Sequence, residues 1–246
     1  MNDAVPRALE VAPVGETPPS AADPSALLLI WLSPSFPVGA FAYSHGLEQA
    51  VERRWVKDRE SLTAWLSDIA AHGSLPNDLI LLAESWRTAG KPDLDRLREL
   101  AGLSAALQPS AERYLEATQQ GRSFLATVNA AWPCDIVSSL HARLADAPLG
   151  YPVAVGVAAS GHSIPLVDTL TGYALAFIGN LVSAAIRLGV VGQTDGQRVI
   201  AELRPTLVGA ASRAVSSSLD DLGSAAFLSD IASLAHETQY SRLFRS

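Results

Sequence analysis

The stretch Asp58–His72, DRESLTAWLSDIAAH, decides the fold class. Leu62, Trp65, Leu66 and Ile69 recur at the i, i+3, i+4, i+7 spacing that lines one face of an α-helix. Asp58 stands where an N-cap acceptor is wanted and Gly73 where a helix stops. The same pattern continues outward. Toward the N-terminus, SALLLIWL (25–32) reads as a short apolar helix after Asp23-Pro24, where proline suits the first turn, and residues 41–54 as a second. Toward the C-terminus, Asn77 reads as the cap of a helix over 78–89, stopped by Gly90 and Pro92. Asp93 opens another, with Leu94, Leu97 and Ala101 on one stripe and Leu100, Leu103 and Leu107 on its neighbour. Pro109-Ser110 restarts the chain, Tyr114, Ala117, Gly121, Phe124 and Leu125 keep helical spacing, and Trp132-Pro133 ends it. No β-branched alternation is long enough to anchor a sheet.

Between Ala147 and Ile186 the one formal charge is Asp168. YPVAVGVAAS (151–160) is apolar throughout, so periodicity does not separate buried strand from buried helix; its helical surroundings favour helix. Residues 166–192 form a long apolar helix. From Leu170 to Ile186 it has 17 uncharged residues, at the short edge of the ~20 a membrane crossing needs. We read it as a central core helix packed all round, with a membrane anchor as the alternative. Gly172/Ala176 and Gly179/Ser183 are small pairs that permit a helix–helix or dimer seam. GQTDGQ (192–197) reads as a hydrophilic turn, followed by short helices at 198–203 and 206–218 and a helix at 228–238. The expected architecture is all-α: one helical-bundle domain of about ten helices over residues 24–238, a disordered Pro-rich arm over 1–23, and a flexible tail over 239–246.

Composition narrows the function. In 246 residues, 48% are hydrophobic and 17% charged, with net charge -7. Acidity without any Lys/Arg run argues against nucleic-acid binding and a polybasic membrane footprint. The single cysteine, Cys134, excludes an intrachain disulfide and a Cys-rich metal site. The N-terminus lacks a basic segment followed by an apolar one, so it is no secretory signal, and the expected location is cytoplasmic.

The densest chemistry lies in WLSPSFPVGAFAYSHGLEQAVE (31–52). Ser33, Ser35, Ser44, His45 and Glu48 raise the idea of a small hydrolase. However, adjacent Ser44 and His45 diverge by about 100° on a helix, and prolines stand where a nucleophile elbow needs small residues. Pro34, Pro37 and Gly39 read instead as a rigid corner, with Ser35 and Ser44 available to helix ends and Phe36, Phe41 and Tyr43 as packing or contact surface. Of the five histidines, none forms a His-x3-His pair; His45 with Glu48, and His236, offer at most transient metal contacts. No phosphate-binding glycine motif is present. The tail QYSRLFRS carries Tyr240, Leu243 and Phe244 among arginines, the residue types that dominate interface hot spots.

SPSFPVGAFAYSHGLE (33–48), NLVSAAIRLGVVGQTDGQ (180–197) and HETQYSRLFRS (236–246) together resemble the signature blocks of the UreF family of urease accessory proteins. The likeness runs from about Leu27 to the last residue; LGVVGQ departs mildly, where the family more often has a proline-containing turn. The resemblance implies an all-α, non-catalytic homodimer that bridges UreD (also called UreH) and the nickel-carrying GTPase UreG on apo-urease. It holds no permanent cofactor: nickel passes through the assembly, and GTP is bound by UreG alone. It further implies that the tail orders on UreD and that its arginine, here Arg242, helps recruit UreG. The partner-binding residues expected are Tyr240, Ser241, Arg242, Leu243 and Phe244. Ser35, Phe36, Pro37, Gly39, Tyr43, His45 and Glu48 would form the partner face or its corner. An arginine-finger activator of UreG, using Arg242 or Arg187, is the alternative role.

Overall fold

The structure, a computed structural model, describes residues 24–145 and 147–246. The arm expected over residues 1–23 lies outside them. The described residues contain helices and no strand. The helices are α1 (Ala26–Trp31), α2 (Leu47–Glu52), α3 (Arg59–His72), α4 (Ser74–Gly90), α5 (Leu94–Ala106), α6 (Ala111–Ala131), α7 (Asp135–Arg143), α8 (Tyr151–Gly161), α9 (Leu166–Arg187), α10 (Gln193–Ala214) and α11 (Phe227–His236). Three helix starts carry side-chain caps, at Asp58 as expected and at the Asp93 and Ser110 starts. Asp58 accepts from the Ser61 amide, Asp93 from Arg96 and Ser110 from Arg113, each satisfying a donor that the first helical turn leaves open.

The centre is α8, the segment whose periodicity left helix and strand open. Pro152 to Ala159 are all buried, which is why no polar face marks its period. It packs mainly between α4 and α6, while α9 and α10 form an antiparallel hairpin beside α3 and α4. The α4–α8 crossing is close because position 156 is glycine: a Cβ there would lie 2.5 Å from the Leu82 carbonyl oxygen and 2.2 Å from Ser85 Oγ.

Four expectations change. Residues 193–214 are one helix, not a turn and two short helices. The buried stripe of Val199, Leu203, Leu207, Ala210 and Ala214 runs unbroken past Pro205, and Pro205 itself is exposed, so its missing hydrogen bond falls on the solvent side. The Arg87 guanidinium then caps this helix, donating to the carbonyls of Val215 (2.6 Å), Ser217 (3.3 Å) and Ala214 (3.4 Å). Asn77 is not a cap. It is buried in the first turn of α4 and accepts from Gly223 N at 2.9 Å. On α6, Tyr114 and Leu115 face outward, because the buried stripe there is partly polar. Finally, α9 is not enclosed all round. It is long and apolar enough to cross a membrane, but half of its most apolar window is buried against neighbouring helices, and most of the rest is partly buried.

Candidate functional site

Residues 33–48 make a corner, and the C-terminal residues close over it. Ser33 Oγ donates to the Ile30 carbonyl at the end of α1 and meets Ser35 Oγ at 2.9 Å. Phe36 is buried against Phe124 and Trp132, part of an aromatic cluster centred on Trp31. Ser35 and Pro37 remain exposed, and Gly39 holds a left-handed turn at φ 75°. A 3-10 turn, Ala40–Ala42, follows. The helix expected from residue 41 does not form. His45 and Gly46 both take positive φ (56° and 74°), and α2 begins at Leu47. The tertiary reason is α11: a Cβ at Gly46 would lie 2.6 Å from the Ser233 amide nitrogen. The chain must turn there for the two helices to touch.

His45 and Glu48 therefore do not share a helix face; each has its own partners. Glu48 accepts from the amides of Leu243 (2.6 Å) and Phe244 (2.9 Å) and lies 3.1 Å from His236 Nε2. His236 Nδ1 lies 2.6 Å from Glu112, and Glu112 accepts from Arg242 at 2.6 Å. In a second cluster Glu116 takes His45 Nε2 at 2.7 Å, the Arg113 guanidinium, Gln120 Nε2 at 3.0 Å and Ser246 Oγ at 3.0 Å. Ser44 donates through its amide and its hydroxyl to the Ser246 carbonyl oxygen. Arg245 N donates to the Ala42 carbonyl, and Tyr43 OH to Gln119 at 2.6 Å. The residues read as a flexible tail are thus seated on α2 and α6.

Burial alone would raise the Glu116 carboxyl, but Arg113 and His45 hold it at about 2. His45 moves the other way: burial, then Arg113, lowers it. The ring is accordingly neutral near pH 7. Its Nε2–H faces an acceptor that stays ionised, and the lone pair of Nδ1 is buried without a partner beside the Phe177 ring at 4.9 Å. Both nitrogens of fully buried His236 face carboxylates. As folded, neither histidine presents a lone pair to solvent. Among the described residues no group of three or more His, Cys, Asp or Glu is arranged around a metal position. Ser44 and His45 make no bond to each other, so no hydrolase-like dyad exists at the corner.

The tail residues divide. Phe244 is buried beneath the Arg187 guanidinium, 4.3 Å from its ring centre. Tyr240 is fully exposed, Leu243 largely so, and Ser241 is open to solvent. They continue an apolar surface of α11, where Phe227, Leu228, Ile231 and Leu234 are each at least half exposed.

The sequence reading missed both this α11 stripe and the polar half of α6. Arg113, Glu116, Ala117, Gln120 and Phe124 lie at i, i+3, i+4, i+7, i+11 and are all buried. A charge pair sharing helical spacing with a core phenylalanine was the available signal. A separate hollow of about 500 Å³ between α5, α7 and α8 is lined by Pro92, Leu94, Cys134, Asp135 and Ile136. Its few polar groups do not converge on a ligand position.

Comparison with known proteins gives a consistent picture. A family model described as UreF matches residues 56–204. A protein of Methylobacterium radiotolerans is 52% identical over 229 residues, covering 93% of this chain and 100% of its own length. One from Rhodopseudomonas palustris is 48% identical over 236 residues, 92% of this chain and 99% of its own. One from Xanthobacter autotrophicus is 51% identical over 219 residues, 89% and 90%. Each of the three is named urease accessory protein UreF.

Proposed function

This chain belongs to the UreF family of urease accessory proteins, and from that premise we propose that it is a non-catalytic scaffold of urease maturation in the cytoplasm. It bridges UreD and the GTPase UreG on apo-urease. Nickel is the cargo of that assembly, and GTP belongs to UreG. The observation that carries this reading is the apolar face of α11 continuing into Tyr240 and Leu243, on a tail fixed by Glu48, Glu112 and Glu116. Exposed apolar surface of this extent fits a protein partner, and we assign UreD to it. Arg242, on the rim of the same surface, is assigned to UreG capture. Arg242 is paired with Glu112 and Arg187 lies over Phe244. Neither extends freely as an arginine finger would, which favours bridging over activation.

Co-purification tests the reading. Ile231→Asp is expected to abolish UreD capture, and Arg242→Ala to weaken UreG capture at least tenfold, with helical circular dichroism retained in both. Undiminished capture by either variant overturns the corresponding assignment.

We propose that the homodimer contact lies along the partly exposed side of α9 that carries Gly179 and Ser183. Gly172 is not part of it, since a Cβ there would meet Leu32 of the body at 3.1 Å. Gly179 has no atom within 4 Å of a Cβ position, and with Ala176 and Ser183 it forms a flat strip that suits close helix approach. Gly179→Arg fits the monomer without a clash. Light scattering should give twice the 25.9 kDa chain mass for the native protein and a single chain mass for the variant.

A further inference from the structure

Arg242 is fixed by a ring of contacts that runs through the body of the protein. Its Nη1 donates to Glu112 Oε1 at 2.6 Å. The other oxygen of Glu112 lies 2.6 Å from His236 Nδ1, and His236 Nε2 lies 3.1 Å from Glu48 Oε2. Glu48 in turn accepts from the amides of Leu243 and Phe244, the two residues that follow Arg242. The ring thus closes on the tail: one end holds the backbone just past Arg242, the other the tip of its side chain. Its middle is walled in. His236 is fully buried, and the side chains of Glu48 and Glu112 are at most 13% exposed.

The guanidinium is not used up. Arginine carries five N–H donors in a planar fork, and among the described residues this one donates through Nη1 alone. Nε and Nη2 are left, on a side chain that is 40% exposed. Their parallel N–H groups match the two oxygens of a carboxylate. An arginine loose in solvent loses rotamer freedom when a partner takes it, whereas one already fixed loses little.

We propose that Glu112 is a positioning residue for partner capture. Seated between His236 and Arg242, it holds the guanidinium at the surface with the Nε and Nη2 donors left for an aspartate or glutamate side chain of the partner. This deepens, and rests on, the assignment of Arg242 to UreG capture. Glu112 itself touches no partner; it acts through Arg242.

The test is a double-mutant cycle on the full chain, read as the apparent Kd for UreG. Glu112→Gln keeps the shape of the side chain and removes its charge, and is expected to weaken capture about tenfold. In an Arg242→Ala background the same change adds no further loss, because the two residues act as one unit. Arg242→Lys keeps the charge but not the fork, and is expected to weaken capture as much as Arg242→Ala. UreD capture, which reads the α11 surface, stays within about twofold of native in Glu112→Gln. Native-like UreG capture by Glu112→Gln, with Arg242→Ala weakened, overturns the positioning role and leaves the Arg242 assignment standing. Native-like capture by Arg242→Ala overturns both. A Glu112→Gln loss that persists without Arg242, or that extends to UreD, marks a displaced tail and overturns the proposal. So does tighter capture by Glu112→Gln, which would make Glu112 a competitor of the partner, and so does full capture by Arg242→Lys.

Discussion

A Glu116→Ala variant loses about 3–5 kcal/mol of stability and releases the last residues of the chain. One carboxylate answers four donors, from His45, Arg113, Gln120 and Ser246. Removing it leaves the Arg113 charge buried and unpaired, the case in which breaking an ion pair costs most. The unfolding midpoint in urea measures the loss, and faster tryptic cleavage after Arg242 and Arg245 reports the release. The same group sets an acid limit. Its folded pKa, about 2, lies below its ordinary 4.5, so the unfolded chain binds the proton more tightly. The associated stability, about 3 kcal/mol, is fully present above pH 4.5 and is lost as pH falls toward 2. His45 acts in the same sense, because its pKa is lowered and acid must charge a buried ring. Glu116→Gln should flatten the acid limb of the stability profile; an unchanged limb would place the acid sensitivity elsewhere.

Gly156→Val is expected to cost about 3 kcal/mol or more, or to prevent accumulation of folded protein. Valine gains helix propensity over glycine by a few tenths of a kcal/mol, but its Cβ meets the Leu82 carbonyl oxygen, which belongs to backbone and cannot rotate away. The α4–α8 crossing must open, and overpacking at a fully enclosed helix carries that cost. Ser85→Ala removes the other close atom, so a double variant recovers only the part due to Ser85 Oγ. Full recovery would show that α4 yields more easily than its burial implies.

The helices were legible where the rules are local. Asp58, Asp93 and Ser110 cap their helices because the donors they satisfy are three residues away, and the apolar stripe of α3 shows its period because only one face is buried. Sequence reasoning failed where distant partners decide. The start of α2 at Leu47 depends on Ser233, far along the chain, so the sequence around residue 41 gave no sign of it. The unbroken α10 passes a proline because its buried face is continuous. Proline rules describe the local hydrogen bond and carry no information on that face. At the site, His45 and Glu48 attracted notice as a pair, yet their partners are Glu116 and His236. Glu112, Arg113 and Glu116 escaped notice because charged residues on a helix ordinarily face water. Only the arrival of residues 236–246 makes their burial understandable.

The bond between Ser44 and Ser246 joins residues 202 positions apart, and those from Glu48 to Leu243 and Phe244 span almost as much. Contacts of such separation are the slowest to form, whereas the α3–α4 and α9–α10 hairpins close over short loops. The body therefore assembles first, with Glu48 and Glu116 short of their distant partners, and locking of the terminal segment is a separate, late step. For a chain emerging from the ribosome, the charged corner near residue 45 must wait for nearly the whole remaining sequence. A chain cut before Leu243 would therefore keep its helical body while leaving Ser44 and Glu48 without these partners.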